Sequence, residues 1–191
     1  MKVVAFNGSA RREGNTSILI KAVFAELQKE GIETELVNLS GKPLRGCMAC
    51  YGCFQNKNKR CVVEDDLVND AIAKMIAADG IILASPVYVA DVSSEMKALI
   101  DRACLVSKAN GDIFSRKVGA AVAAVRRGGA IHAVDTMNHF FGISQMYTVG
   151  SCYWNFAFGR EIGEVLKDEE GMRTMKVLGE NMAWAIKKMH S

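Results

Sequence analysis

The chain has 191 residues, 50% of them hydrophobic, and its 24 Lys and Arg against 21 Asp and Glu leave a formal net charge of +3. That length suits a single large domain over 1–191, which buries enough surface to fold without disulfide or metal staples. Charges of both signs are interspersed, so no basic stripe marks a nucleic-acid partner, and no apolar run reaches the roughly 18 residues of a membrane span. With no signal-peptide pattern before the first strand and no linker-like tract, a soluble cytoplasmic protein is expected.

Short apolar runs alternate with stretches of helical period. Lys2–Asn7 forms the first strand and stops at Gly8. Ile20, Val23, Phe24 and Leu27 share one face of a helix over 16–30, which Gly31 ends. A second strand spans 32–39, and a helix over 65–78 turns Leu67, Ala71, Ile72, Met75 and Ile76 inward. Residues 80–85 (GIILAS) make a strand of the kind buried on both faces. Met96, Leu99, Ile100 and Ala103 mark the next helix, followed by a fourth strand over Val118–Val125, a helix over 130–141 and a fifth strand over 145–149. Met175, Leu178, Met182, Ile186 and Met189 form the inner face of a C-terminal helix. Strands joined through right-handed helical crossovers run parallel. The expected fold is therefore an α/β three-layer sandwich, a five-stranded parallel sheet with helices on both faces, with its ligand beyond the carboxyl ends of the strands. The connection over 40–64 stands out, because about 25 residues without periodicity usually mean function or disorder.

After the first strand the loop Asn7-Gly8-Ser9-Ala10-Arg11-Arg12-Glu13-Gly14-Asn15-Thr16-Ser17 opens a helix. Free N–H groups and the helix dipole make such a position an anion site. The spacing is neither that of a P-loop nor that of a dinucleotide fingerprint. Hydroxyls at Ser9, Thr16 and Ser17, the Asn15 amide and the Arg11 cation can surround a terminal phosphate, whose three acceptor oxygens carry nearly two charges; a plain capped helix start is the bland alternative. After the third strand, Pro86, Val87, Tyr88 and Val89 offer an apolar and aromatic wall. After the fourth, Arg126-Arg127-Gly128-Gly129 offers a cation and close backbone approach. A phosphate pocket, an apolar slot and a positively charged edge together fit flavin mononucleotide.

GSARREGNTS, SPVYVADVSSEMKALIDR, RRGG and EEGMRTMKVLGENMAW resemble the flavodoxin-like NAD(P)H-dependent FMN reductases over nearly the whole chain. The resemblance implies that Ser9, Arg11, Asn15, Thr16 and Ser17 hold the FMN phosphate. It also implies that Pro86, Val87, Tyr88 and Val89 line one side of the isoalloxazine, while Arg127, Gly128 and Gly129 meet its pyrimidine edge.

Four of the six cysteines, Cys47, Cys50, Cys53 and Cys61, fall in a C-x2-C-x2-C-x7-C pattern. Thiolates at intervals of three wrap one corner of a compact cluster, with Gly46 and Gly52 expected to allow the tight turns, and a fourth closes the set. An iron–sulfur cluster is favoured over zinc, a redox thiol pair or an empty site, since structural zinc more often uses two C-x2-C knuckles on a longer spacer. The pattern resembles the iron–sulfur flavoprotein branch of the FMN reductases, which implies a 4Fe–4S cluster on these four cysteines. It further implies a homodimer or homotetramer, to which Cys152, Tyr153, Trp154 and Phe156 are expected to contribute contacts. Cys104 and Cys152 read as core residues, Trp154 and Trp184 as core or subunit contacts, and His132 and His139 as surface or flavin-neighbour residues. No acid–base dyad is visible, so no catalytic side chain is assigned and the cofactors supply the chemistry. The expected function is an oxidoreductase with FMN and 4Fe–4S that moves electrons between a carrier such as ferredoxin and a small acceptor. The alternatives are a cluster-free NAD(P)H-dependent FMN or quinone reductase and a non-enzymatic electron carrier or redox sensor.

Overall fold

The computed structural model describes residues 1–41 and 43–190; Lys42, inside the long 40–64 connection, and Ser191 lie outside the described residues. In chain order the elements are β1 (Lys2–Asn7), α1 (Asn15–Lys29), β2 (Glu33–Asn38), α2 (Gly52–Asn56), α3 (Val68–Ala77), β3 (Gly80–Pro86) and α4 (Ser94–Ala109). Then follow β4 (Val118–Val125), α5 (Ala130–Ile143), β5 (Tyr147–Thr148), β6 (Phe156–Phe158), a 3-10 turn (Glu164–Lys167) and α6 (Glu169–Met189). The strands pair in the parallel order β2-β1-β3-β4-β5, with β6 also parallel to β4. Strand order reverses at β1 and β3, which places the crevice for a ligand at their carboxyl ends.

Alternation along each strand divides the core in two. Val4 and Phe6 of β1 join Ile81, Leu83 and Ala121 beneath α3, α4 and α5. Val3 and Ala5 join Ile82, Ala84 and Val122 beneath α1 and α6. β4 (VGAAVAAV) is built of small residues because a helix lies close on it: a Cβ on Gly119 would stand 2.7 Å from the Phe141 ring. Gly31, at φ +73, ends the first helix as expected.

The fifth strand expected over 145–149 is shorter, Tyr147–Thr148, and a sixth, not expected, follows at Phe156–Phe158. β5 pairs with Val118 and Gly119 at the start of β4, and β6 takes up Ala123 to Val125 at its end. Gly150 to Asn155 leave the sheet between them, so one apolar run could not signal both pieces. None of the described helices is long and apolar enough to cross a membrane.

Candidate functional site

β1 ends at Asn7, whose buried side chain shapes the loop that follows. Its Oδ1 accepts from the Ser9 N–H at 3.0 Å, and its Nδ2 donates to Asn38 Oδ1 at 2.9 Å, tying the ends of β1 and β2 together. Gly8 allows close approach to the start of α4, since a Cβ there would stand 2.8 Å from Ser93 Oγ. The Arg11 N–H donates to Ser9 Oγ at 3.1 Å. α1 then begins after Gly14 with no side chain capping its first turn. Behind it, Ser17 Oγ is fully buried and has no hydrogen-bond partner among the described residues. An uncapped helix start with buried hydroxyls around it has the donor set a phosphate needs.

A cavity of about 190 Å3 opens here. Ser9, Arg11, Asn15 and Thr16 form one wall, Pro86, Val87 and Tyr88 another. Ala124, Arg126, Gly159 and Arg160 complete it. Gly159 and Arg160 lie outside every sequence motif, and a long-range contact brings their segment in: Asn15 Nδ2 donates to Glu161 O at 2.9 Å, and Asn15 Oδ1 accepts from the Gly163 N–H at 2.8 Å. Asn15 thus spends its amide on fixing that wall. Val89 stands fully exposed at the tip of a turn in which Val89 (φ 49) and Ala90 (φ 63) are both left-handed.

Arg127, Gly128 and Gly129 line a neighbouring open depression with His132. Gly129 (φ 88) is needed there because a Cβ would stand 2.6 Å from Ala90 Cα, so it brings two loops together. Beside it, Asp91 accepts from Thr136 Oγ1 at 2.7 Å and lies 3.4 Å from His132 Nε2. Burial works against the Asp91 charge, but bonds from Thr136 and the Val92 N–H outweigh it and hold the carboxyl below its ordinary range. A further depression of about 400 Å3, lined by residues 148–155 with Val134 and Asn138, carries no charged side chain and does not suit an anion. Cys152, Tyr153, Trp154 and Trp184 are exposed. Cys152 is therefore not the core residue expected, because the chain leaves the sheet at Gly150; Cys104 is half-buried against the core.

The four patterned cysteines line a single small cavity against α4. Cys53 is buried, Cys61 half-buried, and Cys47 and Cys50 are exposed, all as free thiols. Burial pushes the Cys53 thiol up. The tight turns fall at Ala49 (φ 52) and Tyr51 (φ 55), on either side of Cys50, and not at Gly46 and Gly52 as expected. Left-handed backbone costs a non-glycine residue roughly 1–2 kcal/mol, and such strain gathers at functional sites. Gly52 serves packing instead, since a Cβ there would overlap the Val62 side chain. The Ala49 N–H donates to Cys47 Sγ at 3.5 Å.

Cys61 is held from two helices. Its N–H donates to Asn69 Oδ1 at 2.8 Å, and Asn69 Nδ2 donates to the Cys61 and Val63 carbonyls, each at 3.0 Å. From α4, Arg102 Nε donates to Cys61 Sγ at 3.4 Å. Among the described residues no three His, Cys, Asp or Glu side chains converge closely enough to share one ion.

The sequence matches the family of NADPH-dependent FMN reductases over residues 1–161. The chain belongs to that family. Among curated relatives, an iron–sulfur flavoprotein of Methanocaldococcus jannaschii is 37% identical over 98% of both chains. Another, from Methanosarcina thermophila, is 32% identical over 93% of this chain and 95% of that one. RosB, solved with 8-demethyl-8-formylriboflavin-5'-phosphate, superposes with a TM-score of 0.79 over all of this chain and 80% of its own, at 19% identity. A WrbA-like flavodoxin from Agrobacterium tumefaciens gives 0.66 at 16% identity, covering 98% and 97% of the two chains. The fold is flavodoxin-like, and the chain is a flavin oxidoreductase of the FMN reductase family.

Proposed function

We propose that this FMN reductase homologue is one FMN-binding domain with a 4Fe–4S cluster on Cys47, Cys50, Cys53 and Cys61, and that it passes electrons between a carrier such as ferredoxin and a small acceptor. The observation that carries the reading is that all four patterned cysteines line one small cavity, in a chain whose uncapped α1 start forms a separate anion cradle. Ser9, Arg11, Thr16 and the first-turn amides of α1 would hold the FMN phosphate, with buried Ser17 beneath them. Pro86, Val87 and Tyr88 would flank the ring, and Arg127, Gly128 and Gly129 would meet its polar edge. FMN takes electrons singly or in pairs and a 4Fe–4S cluster takes them singly, so both kinds of donor can be served when the two are bound. The protein's share is to bind, orient and exclude water.

The exposed Lys57, Lys59 and Arg60 beside the cysteines suit an acidic carrier, whose association they would speed at low salt. The exposed Tyr153 and Trp154 support a homodimer or homotetramer. The test is anaerobic stopped-flow reduction of the FMN by reduced ferredoxin and, separately, by NADPH. Fast reduction by ferredoxin that slows with added salt and is lost in Cys50→Ala, with FMN retained, is the expected result. Reduction by NADPH alone, equal in both proteins, would replace this reading with a cluster-free FMN or quinone reductase.

A further inference from the structure

Arg102 is 1% exposed in the middle of α4, and its guanidinium is spent on the cysteine loop. Nε donates to Cys61 Sγ at 3.4 Å, Nη1 to the Arg45 carbonyl at 3.2 Å, and Nη2 to the Val63 carbonyl at 3.1 Å. Nη1 also pairs with the Asp66 carboxylate, which is itself 3% exposed. One side chain therefore grips the loop before its first cysteine and after its last. A buried charge is costly unless paired and fully bonded. A packing role does not call for a cation there, because a neutral side chain could fill the same space without that cost. Burial alone would weaken the charge, yet the bonds to Asp66 and Cys61 outweigh it, so the group stays cationic.

We propose that Arg102 is a positioning and tuning residue of the cysteine centre: it closes the loop onto α4 and, through its bond to Cys61 Sγ, makes the centre easier to reduce, while Asp66 limits that effect. The proposal rests on the reading of the four cysteines as ligands of a cluster. Reduction adds one electron, and hence one negative charge, to a thiolate-bound group. A donated N–H and a nearby buried cation stabilise the reduced form more than the oxidised one. Removing the guanidinium leaves Asp66 as an unpaired buried anion and adds to the loss. Neutralising Asp66 leaves the cation uncompensated and acts the other way.

The experiment is an EPR-monitored redox titration of anaerobically reconstituted wild type, Arg102→Gln, Arg102→Lys and Asp66→Asn, with iron content and circular dichroism recorded for each. Arg102→Gln is expected to disfavour reduction at least tenfold, about 59 mV downward for one electron. Arg102→Lys should shift less, and Asp66→Asn should move the potential upward. Shifts of opposite sign cannot come from a loosened loop, which would lower iron content and, by exposing the centre to water, move the potential the same way in every variant. Unchanged potentials, or loss of the cluster from all three variants with the fold intact, would overturn the tuning role. A wild type that assembles no cluster would instead overturn the proposed function, so the two failures are distinguishable.

Discussion

Arg11 and Thr16 bracket the uncapped start of α1, and they decide how far flavin affinity rests on its phosphate. Charge-assisted hydrogen bonds are worth about 1.5–3 kcal/mol each, roughly 10- to 100-fold in binding. Arg11→Ala or Thr16→Ala should therefore weaken FMN by that factor and leave riboflavin, which lacks the phosphate, little changed; equal losses in fluorescence titrations with the two flavins would refute the assignment. At Gly52 the effect is steric. A methyl group there overlaps Val62, so Gly52→Ala should lower the stability of the cofactor-free protein by about 1–3 kcal/mol, seen as a lower Tm. An unchanged Tm would mean that Val62 moves aside freely.

Among the elements, β1 and β2 share an ion cluster at one edge of the sheet. Lys74, and after it Lys2, hold the Glu35 carboxyl below its ordinary 4.5. A depressed carboxyl stabilises the fold fully above its unfolded value and loses that contribution as pH falls through the folded one. Glu35→Gln should cost about 0.2–1 kcal/mol at neutral pH, as half-exposed pairs do. The gap to wild type should close in acid; a gap independent of pH in denaturant melts would contradict the pairing. Element positions were largely legible in the sequence because α1, α3, α4 and α6 each carry a clear helical period. β5 is two residues of the strand expected over 145–149, whereas β6 was not legible, because three residues on an edge are too few to show a period.

At the scale of the molecule, both parts of the candidate site were legible where local chemistry announces itself. The hydroxyl-rich loop after β1 and the cysteine spacing are short-range signals. The residues that hold those parts in place were hidden: Arg160 reaches the anion cavity through the Asn15 contact, and Cys61 is gripped by Asn69 from the helix that follows it and by Arg102 from α4, which is distant in sequence. Such partners depend on tertiary packing, which single-sequence patterns do not encode. The left-handed turns at Ala49 and Tyr51 were hidden for a similar reason, since neither residue type favours that backbone and the surrounding fold imposes it. The central claim is that these long-range contacts shape a four-cysteine cluster site beside an FMN cradle. Its most direct test is the iron, acid-labile sulfide and FMN content of the anaerobically purified chain. The account predicts about four irons and about four sulfides per FMN, with the iron and sulfide lost but the FMN kept in Cys50→Ala. Stoichiometric FMN without iron or sulfide after anaerobic reconstitution would contradict it.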